Sequence, residues 1–332
     1  MTAPHVDDVA REAQAAFERG VLREQPARAR LLVKGNERVD FVNRMCTNDA
    51  RKVEGRFGLL AVLTTAKGRI VDLVRLFARD DGIVLLGSDG RGAPLKQWLE
   101  KYVVMEDVAI DDLTASAGTL LAFGPNAEAA VKQVVGVELP PAPGGFAVAS
   151  ASFEGAVVHA LGRGEPPLHS VELVAAAAVI PALAARLRDA GLAPIGDAAW
   201  EQVRVEAGIP LFGRELTENV NPLEASLPSA VSFTKGCYIG QEVVARLNSY
   251  SKVQRHLVGV KFPAAVDPAA VNELFCDLLR VGHVTSVARS ARLNATVALA
   301  FVKSEYSRPG TEVYTVRDGE QLRGTLCELP FR

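Results

Sequence analysis

The stretch FTKGCYIGQEVVAR, Phe233 to Arg246, decides how the rest of the chain is read. Gly236 and Gly240 bracket Cys237 and Tyr238, and a helical pattern follows at once, with Val243, Val244 and Leu247 on its apolar face. A change from loop to helix within so few residues puts the loop side chains at a helix N-terminus. There the unpaired N–H groups and the positive end of the dipole favour negative charge. Cys237 would then have two thiolate-stabilising influences, the helix start and Lys235. The glycines let the backbone turn tightly and let a ligand or a second chain come close. Gln241 and Glu242 fall in the first turn, where an acidic residue suits the dipole. The residues alone favour a small cysteine buried in a tight loop.

Around this stretch lie 332 residues that are 48% hydrophobic, enough for two or three domains with substantial cores. Against 37 basic residues stand 39 acidic ones, a formal net charge of −2, so neither nucleic acid nor an anionic membrane is an expected direct partner. The beginning, MTAPHVDDVAREAQAAF, is acidic and amphipathic and does not read as a secretory signal. The apolar run from Val171 to Ala185 is broken by Glu172 and Pro181, so no transmembrane span is expected. Cys46, Cys237, Cys276 and Cys327 are far apart and form no CxxC pair, which speaks against a metal site or a secreted disulfide framework. A reducing cytoplasm is the expected compartment.

Taken in order, the chain reads as two similar successions of strands and helices and then a β-rich end. Asp7–Gly20 is helical, Arg30–Lys34 a strand, and Asn36–Met45 a short helix ending at Cys46-Thr47-Asn48-Asp49, where Asn48 and Asp49 suit a turn or cap. Phe57–Leu63, Ile70–Phe77 and Ile83–Leu86 are strands, the last two joined by Arg79-Asp80-Asp81-Gly82, and a helix runs to about Tyr102. From Gly118 a similar order recurs as far as Ala190. A helix follows in DAAWEQVRVEAG and stops at Gly208-Ile209-Pro210. Beyond Ser251, five short strands separated by turns indicate a small β-barrel or sandwich.

KGCYIGQE, residues 235 to 242, resembles the signature of the YgfZ-type folate-binding proteins, a branch of the glycine-cleavage T-protein (aminomethyltransferase) superfamily. T-proteins proper have an acidic–aromatic pair where this chain has Cys237 and Tyr238. The resemblance extends to GHVTSVARS and ATVALAFV near the C-terminus and so covers nearly the whole chain. It implies an α+β fold, a three-domain T-protein-like ring of two ferredoxin-like α+β units and a C-terminal β-barrel around a folate cavity. The first unit would comprise residues 1–115 and 197–250, the second 116–196, and the barrel 251–332.

Site residues follow from the same resemblance. RVEAG, with Arg204 and Glu206, is similar to a superfamily motif whose glutamate contacts the pterin, a role suited to a carboxylate that accepts paired N–H donors. From the residues alone, the favoured reading is a solvated helix face with Glu201 and Arg204 paired. TAKGRIVD is similar to a turn that leads into a strand opening with two acidic residues. Here Asp72 keeps one acid and Val71 stands at the other position, which speaks against aminomethyl transfer. Lys67 and Arg69 would meet the folate tail or an acidic partner, or else are plain turn residues. Tyr238 and Gln241 would complete the folate-binding set, and Cys237, Lys235 and Asp72 would carry the chemistry. KYVVMEDV, with Tyr102, Met105 and Glu106, is similar to a strand lining the cavity. The implied role is folate-linked assembly or maintenance of iron–sulfur clusters in client enzymes, including tRNA-modifying ones, with tetrahydrofolate or a one-carbon derivative as cofactor and iron–sulfur proteins as partners. A true aminomethyltransferase and a non-catalytic folate-gated adaptor are the rival readings.

Overall fold

A computed structural model describes residues 6–163, 169–249 and 253–332. The domain boundary expected between residues 250 and 251, and the first five residues of the chain, lie outside them. The described residues divide into two compact units. One is formed by Ala15–Ile195 with Ser229–Gln241, the other by Gly196–Pro228 and Glu242–Arg332 with the start of the first helix.

The first unit holds an eleven-stranded sheet. Its strands are β1 (Val21–Glu24), β2 (Arg28–Lys34), β3 (Phe57–Thr64), β4 (Ile70–Arg79), β5 (Gly82–Asp89), β6 (Ala109–Asp112), β7 (Ala117–Phe123), β8 (Phe146–Phe153), β9 (Ala156–Arg163), β10 (Ser170–Ala176) and β11 (Ala193–Pro194). They follow the order β11-β1-β7-β10-β9-β8-β3-β4-β5-β2-β6. The two successions read in the sequence thus form two halves joined where β3 meets β8, Phe57 opposite Ala147. β1, too short to stand out from sequence, pairs with β7 and β11 in the second half.

Alternation along the strands decides what covers each face. In the first half, Leu31, Val33, Leu59, Leu63, Val74 and Leu85 pack with Phe41 and Met45 of helix α2 (Arg38–Met45) and Leu95 and Leu99 of helix α3 (Gly92–Glu100), numbering the N-terminal helix Val6–Glu18 as α1. In the second half, Leu120, Val171 and Leu173 pack with Val131 of α4 (Ala127–Val135) and with Leu183 and Leu187 of α5 (Ile180–Asp189). The opposite face brings the halves together through Leu32, Phe77, Val84, Leu86, Phe146, Val148, Leu161 and Val174. Side chains of this size, fully buried, contribute about 1.5–3 kcal/mol each before entropy is counted.

The second unit carries α6 (Asp197–Glu206) and a closed barrel of β12 (Arg255–Pro263), β13 (Glu273–Cys276), β14 (Leu279–Ser290), β15 (Ala295–Lys303), β16 (Glu312–Arg317) and β17 (Glu320–Cys327), with α6 against β14 and β15. The α+β class with a C-terminal β-barrel is therefore as expected, and β13 is the sixth strand that the sequence did not announce. The remaining helix, α7 (Gln241–Ser249), follows the signature stretch. No described helix is long and apolar enough to cross a membrane.

Candidate functional site

Three motifs that lie far apart in sequence meet in the first unit. The segment 229–241 is stitched to the end of α2 and to the turn between β3 and β4. Thr47 Oγ1 donates to the carbonyl of Ala230 at 2.6 Å, and Ser232 N to the carbonyl of Thr47 at 2.9 Å. Asn48 donates to the carbonyls of Leu60 and Ser229, while the Asp49 carboxylate caps the following turn through Arg51 N. Thr64 Oγ1 reaches the carbonyl of Ile239 at 2.5 Å, and Ile239 N that of Arg44 at 3.1 Å. Gly240 has φ +84, and a Cβ there would stand 2.5 Å from the carbonyl oxygen of Thr65, so the close approach the glycine permits is to the chain's own turn.

Lys235 has a different place from the one expected beside the thiol. It is 6% exposed, and its ammonium donates to the carbonyls of Asn43 at 2.5 Å, Cys46 at 2.8 Å and Asn48 at 2.8 Å. An ammonium has three donors, and all three are thus engaged on backbone at the helix C-terminus, where positive charge complements the dipole. Burial pulls its pKa down. Its role in the fold is to anchor the segment. The Tyr238 ring lies 5.2 Å from the ammonium, and burial, then the nearby Cys46, pushes the Tyr238 hydroxyl up to about 12. Tyr238 is accordingly a neutral, buried member of the anchor.

Cys237 is exposed, so it is not the small buried cysteine of the alternative reading. The helix begins at Gln241, four residues later, which leaves Cys237 in the loop rather than in the first turn. Cys46 differs in every respect: it is fully buried, burial raises its pKa, and its thiol donates to the carbonyl of Asn48. Cys276 and Cys327 are half-buried and are also held above the ordinary thiol range, mainly by burial.

Asp72 is completely buried on β4. Its Oδ1 accepts from Ser88 Oγ at 2.6 Å and from Leu73 N at 2.8 Å, and its Oδ2 lies 3.8 Å from Arg91 Nε. Burial nevertheless raises its pKa above the usual aspartate range. A buried carboxyl displaced in this direction can hold or take a proton nearer neutrality, as acid–base residues do. Val71 packs into the core between β-sheet and helices. Lys67 is exposed and Arg69 half-buried in the turn that Gly240 touches. Gln241, half-buried, opens α7 with its N–H on the carbonyl of Tyr238. Of the cavity-lining residues expected nearby, Val104 and Met105 are 82% and 93% exposed.

Glu206 and Arg204 belong to the second unit. Arg204 is 1% exposed and places Nε and Nη2 on Glu201 at 2.6 Å, Nη2 also on Ser286 at 2.6 Å, and Nη1 on the carbonyl of Ile209 and on Glu215. All five guanidinium donors are engaged, so direct ligand contact does not fit Arg204. The Glu201 pairing read from i,i+3 spacing is present, within a buried network. Glu206, 2% exposed at the end of α6, accepts from Arg292 Nε at 3.0 Å. Arg292, Ser88 and Ser286 went unnoticed in sequence because each is distant from the residue it serves.

Comparison with known proteins agrees with this architecture. The model of the GCVT N-terminal domain matches residues 2–235, and that of the glycine cleavage T-protein C-terminal barrel domain matches residues 255–332. The chain belongs to the glycine cleavage T-protein family. An aminomethyltransferase of Halalkalibacterium halodurans is 27% identical over 90% of this chain and 83% of its own length. A chloroplastic protein of Arabidopsis thaliana, whose name goes no further than transferase, is 28% identical over 96% of this chain and 73% of its own. The crystal structure of the glycine cleavage system aminomethyltransferase T from Bartonella henselae superposes with a TM-score of 0.84 at 23% identity, covering 98% of this chain and 89% of that one.

Proposed function

We propose that this chain is a folate-binding member of the T-protein family of the YgfZ type, serving iron–sulfur clusters of client enzymes through Cys237. The observation that carries the reading is an exposed thiol at the centre of KGCYIGQE, on a loop whose flanks are pinned by Lys235, Ile239 and Gly240. An anchored loop presents one side chain without ordering cost when a partner arrives. Val71 supports the same reading, since an apolar residue packed in the core supplies no second acid beside Asp72.

Glu206 fits a folate, because a buried carboxylate can accept the paired N–H donors of a pterin edge. Bound tetrahydrofolate would supply a one-carbon-carrying nitrogen. The chain's own contribution would be to orient the ring through Glu206, kept in place by Arg292, and to present the thiol. Calorimetry with tetrahydrofolate tests the ligand: binding should be measurable and weaker in Glu206→Ala, and absence of heat at saturation overturns the folate assignment. Complementation of iron–sulfur enzyme activity by Cys237→Ser tests the thiol: activity should fall while the fold survives.

Aminomethyl transfer is the second reading, favoured by the raised pKa of Asp72 and by the names of the relatives. Formation of methylenetetrahydrofolate from an aminomethylated lipoyl carrier, abolished in Asp72→Asn, would establish it over the first.

A further inference from the structure

The face that joins the two halves of the sheet changes character along three strands at once. Two positions before Leu32 of β2 stands Arg30 and, past a bulge, Arg28; two before Phe77 of β4 stands Arg75; two before Val174 of β10 stands Glu172. Leu32, Phe77 and Val174 share one apolar cluster with Phe146, and the charged side chains gather beside it. Glu172, 2% exposed, has Arg28 Nε at 3.0 Å on one oxygen and Arg75 Nη1 at 2.7 Å on the other, and the Arg75 guanidinium lies 5.8 Å from the centre of the Phe146 ring. Arg30, 1% exposed, donates to Thr119 Oγ1 and to the carbonyls of Gln25, Pro26 and Thr114, yet its Nε has no hydrogen-bond partner among the described residues. Neither does Oε1 of Gln25, itself 7% exposed.

As a device for stability this arrangement is poor. Removing each ion from water costs several kcal/mol, and apolar residues of similar volume often serve a core at least as well as an Arg–Glu–Arg triad. The polar end of an otherwise apolar face also keeps buried hydrogen-bonding atoms without partners, which native interiors generally avoid. Such a cluster makes sense when a ligand completes it. A guanidinium is a planar fork matched to a carboxylate, and Glu172 is already hydrogen-bonded by Arg75 and in ion-pair contact with Arg28, whose Nε has no hydrogen-bond partner among the described residues. Their side chains keep 19% and 13% of their exposure, so both are reachable.

We propose that Arg28 and Arg75, with Arg30 behind them, form a binding site for an organic carboxylate whose apolar body lies toward Phe146. Glu172 holds the two arginines in register and competes with the ligand for them. The site rests on residues of the first unit alone and stands independently of the folate reading.

The test uses the full chain, calorimetry and two probes, glutarate and N-benzoylglutamate. A probe should bind the native protein, more weakly as salt rises, and Arg28→Gln and Arg75→Gln should each weaken binding by about tenfold or more, near 1.4 kcal/mol. Glu172→Gln removes the competing carboxylate and should tighten binding, a gain that misfolding cannot produce. Binding of N-benzoylglutamate alone assigns the site to the carboxylated end of an aromatic ligand, and equal binding of both assigns it to a free short diacid. Failure of both probes to bind at millimolar concentration overturns the proposal, as does weaker binding in Glu172→Gln.

Discussion

The Lys235 ammonium donates to the carbonyl oxygen of Cys46 at 2.8 Å, across 189 residues of sequence. With its companions on Asn43 and Asn48, this bond fastens the signature segment to the end of α2. Lys235→Met should therefore lose stability, by about 2–4 kcal/mol given that hydrogen bonds to charged groups are worth ~1.5–3 kcal/mol each and that solvent recovers part of the loss. Urea denaturation reads this directly. Cys237→Ser, at an exposed position, should stay within about 0.5 kcal/mol of the native protein. Equal stability of the two variants would mean that Lys235 anchors nothing.

Gly240→Ala meets two obstacles. Its φ of +84 is a conformation L side chains rarely adopt, and the new Cβ would press on the backbone oxygen of Thr65. A loss of at least about 1–3 kcal/mol is expected from the backbone conformation alone. Gly236→Ala, where a Cβ meets nothing within 4 Å among the described residues, is the control and should be nearly neutral. Chemical denaturation of the pair checks the contrast.

Asp72 makes stability depend on pH in a predictable direction. Its folded pKa lies above the unfolded one because burial disfavours the charge. The native state therefore holds the proton more firmly, a contribution complete below the unfolded value near ~3.9 and lost as pH rises through the folded pKa. Asp72→Asn does not titrate, so its stability relative to the native protein should improve as pH rises through that window and then level off. A difference that stays constant from acid to neutral pH would contradict a raised pKa.

Glu106 runs the opposite way. Hydrogen bonds from Val104 N, and then from Arg44 and the other loop amides, hold its carboxyl down to about 2. Its contribution is present above the ordinary value of 4.5 and is lost as pH falls through about 2. In an NMR titration the Glu106 carboxyl should titrate near that value, and Arg44→Gln should move the midpoint upward. A midpoint near the ordinary glutamate value would show the loop to be open in solution.

Alkylation kinetics separate the four cysteines. Cys46 should react only on unfolding, since it is fully buried and its thiol is spent on the carbonyl of Asn48. Cys237 should react first, because it is the exposed one of the four, and peptide mapping after brief labelling will identify it. Faster labelling of Cys276 or Cys327 would remove the case for Cys237 as the presented thiol.

Local pattern determined a great deal of this protein. Alternating apolar residues announced most strands, and Gly208-Ile209-Pro210 marked the end of α6. The KGCYIGQE run, with the barrel motifs, pointed to the family. β1 and β13, four residues each, escaped because so short a segment has no period of its own and exists through its neighbours. The roles of charged side chains were decided only in three dimensions. Whether Lys235 faces a thiol or three carbonyls, and whether Arg204 keeps a donor for a ligand, depends on which distant backbone comes within about 3 Å, the reach of a hydrogen bond. The sequence shows Glu172 merely as an interruption in an apolar run. Packing of the β10 face in one half of the sheet against that of β2 and β4 in the other, through Val174, Leu32 and Phe77, is what sets it between Arg28 and Arg75.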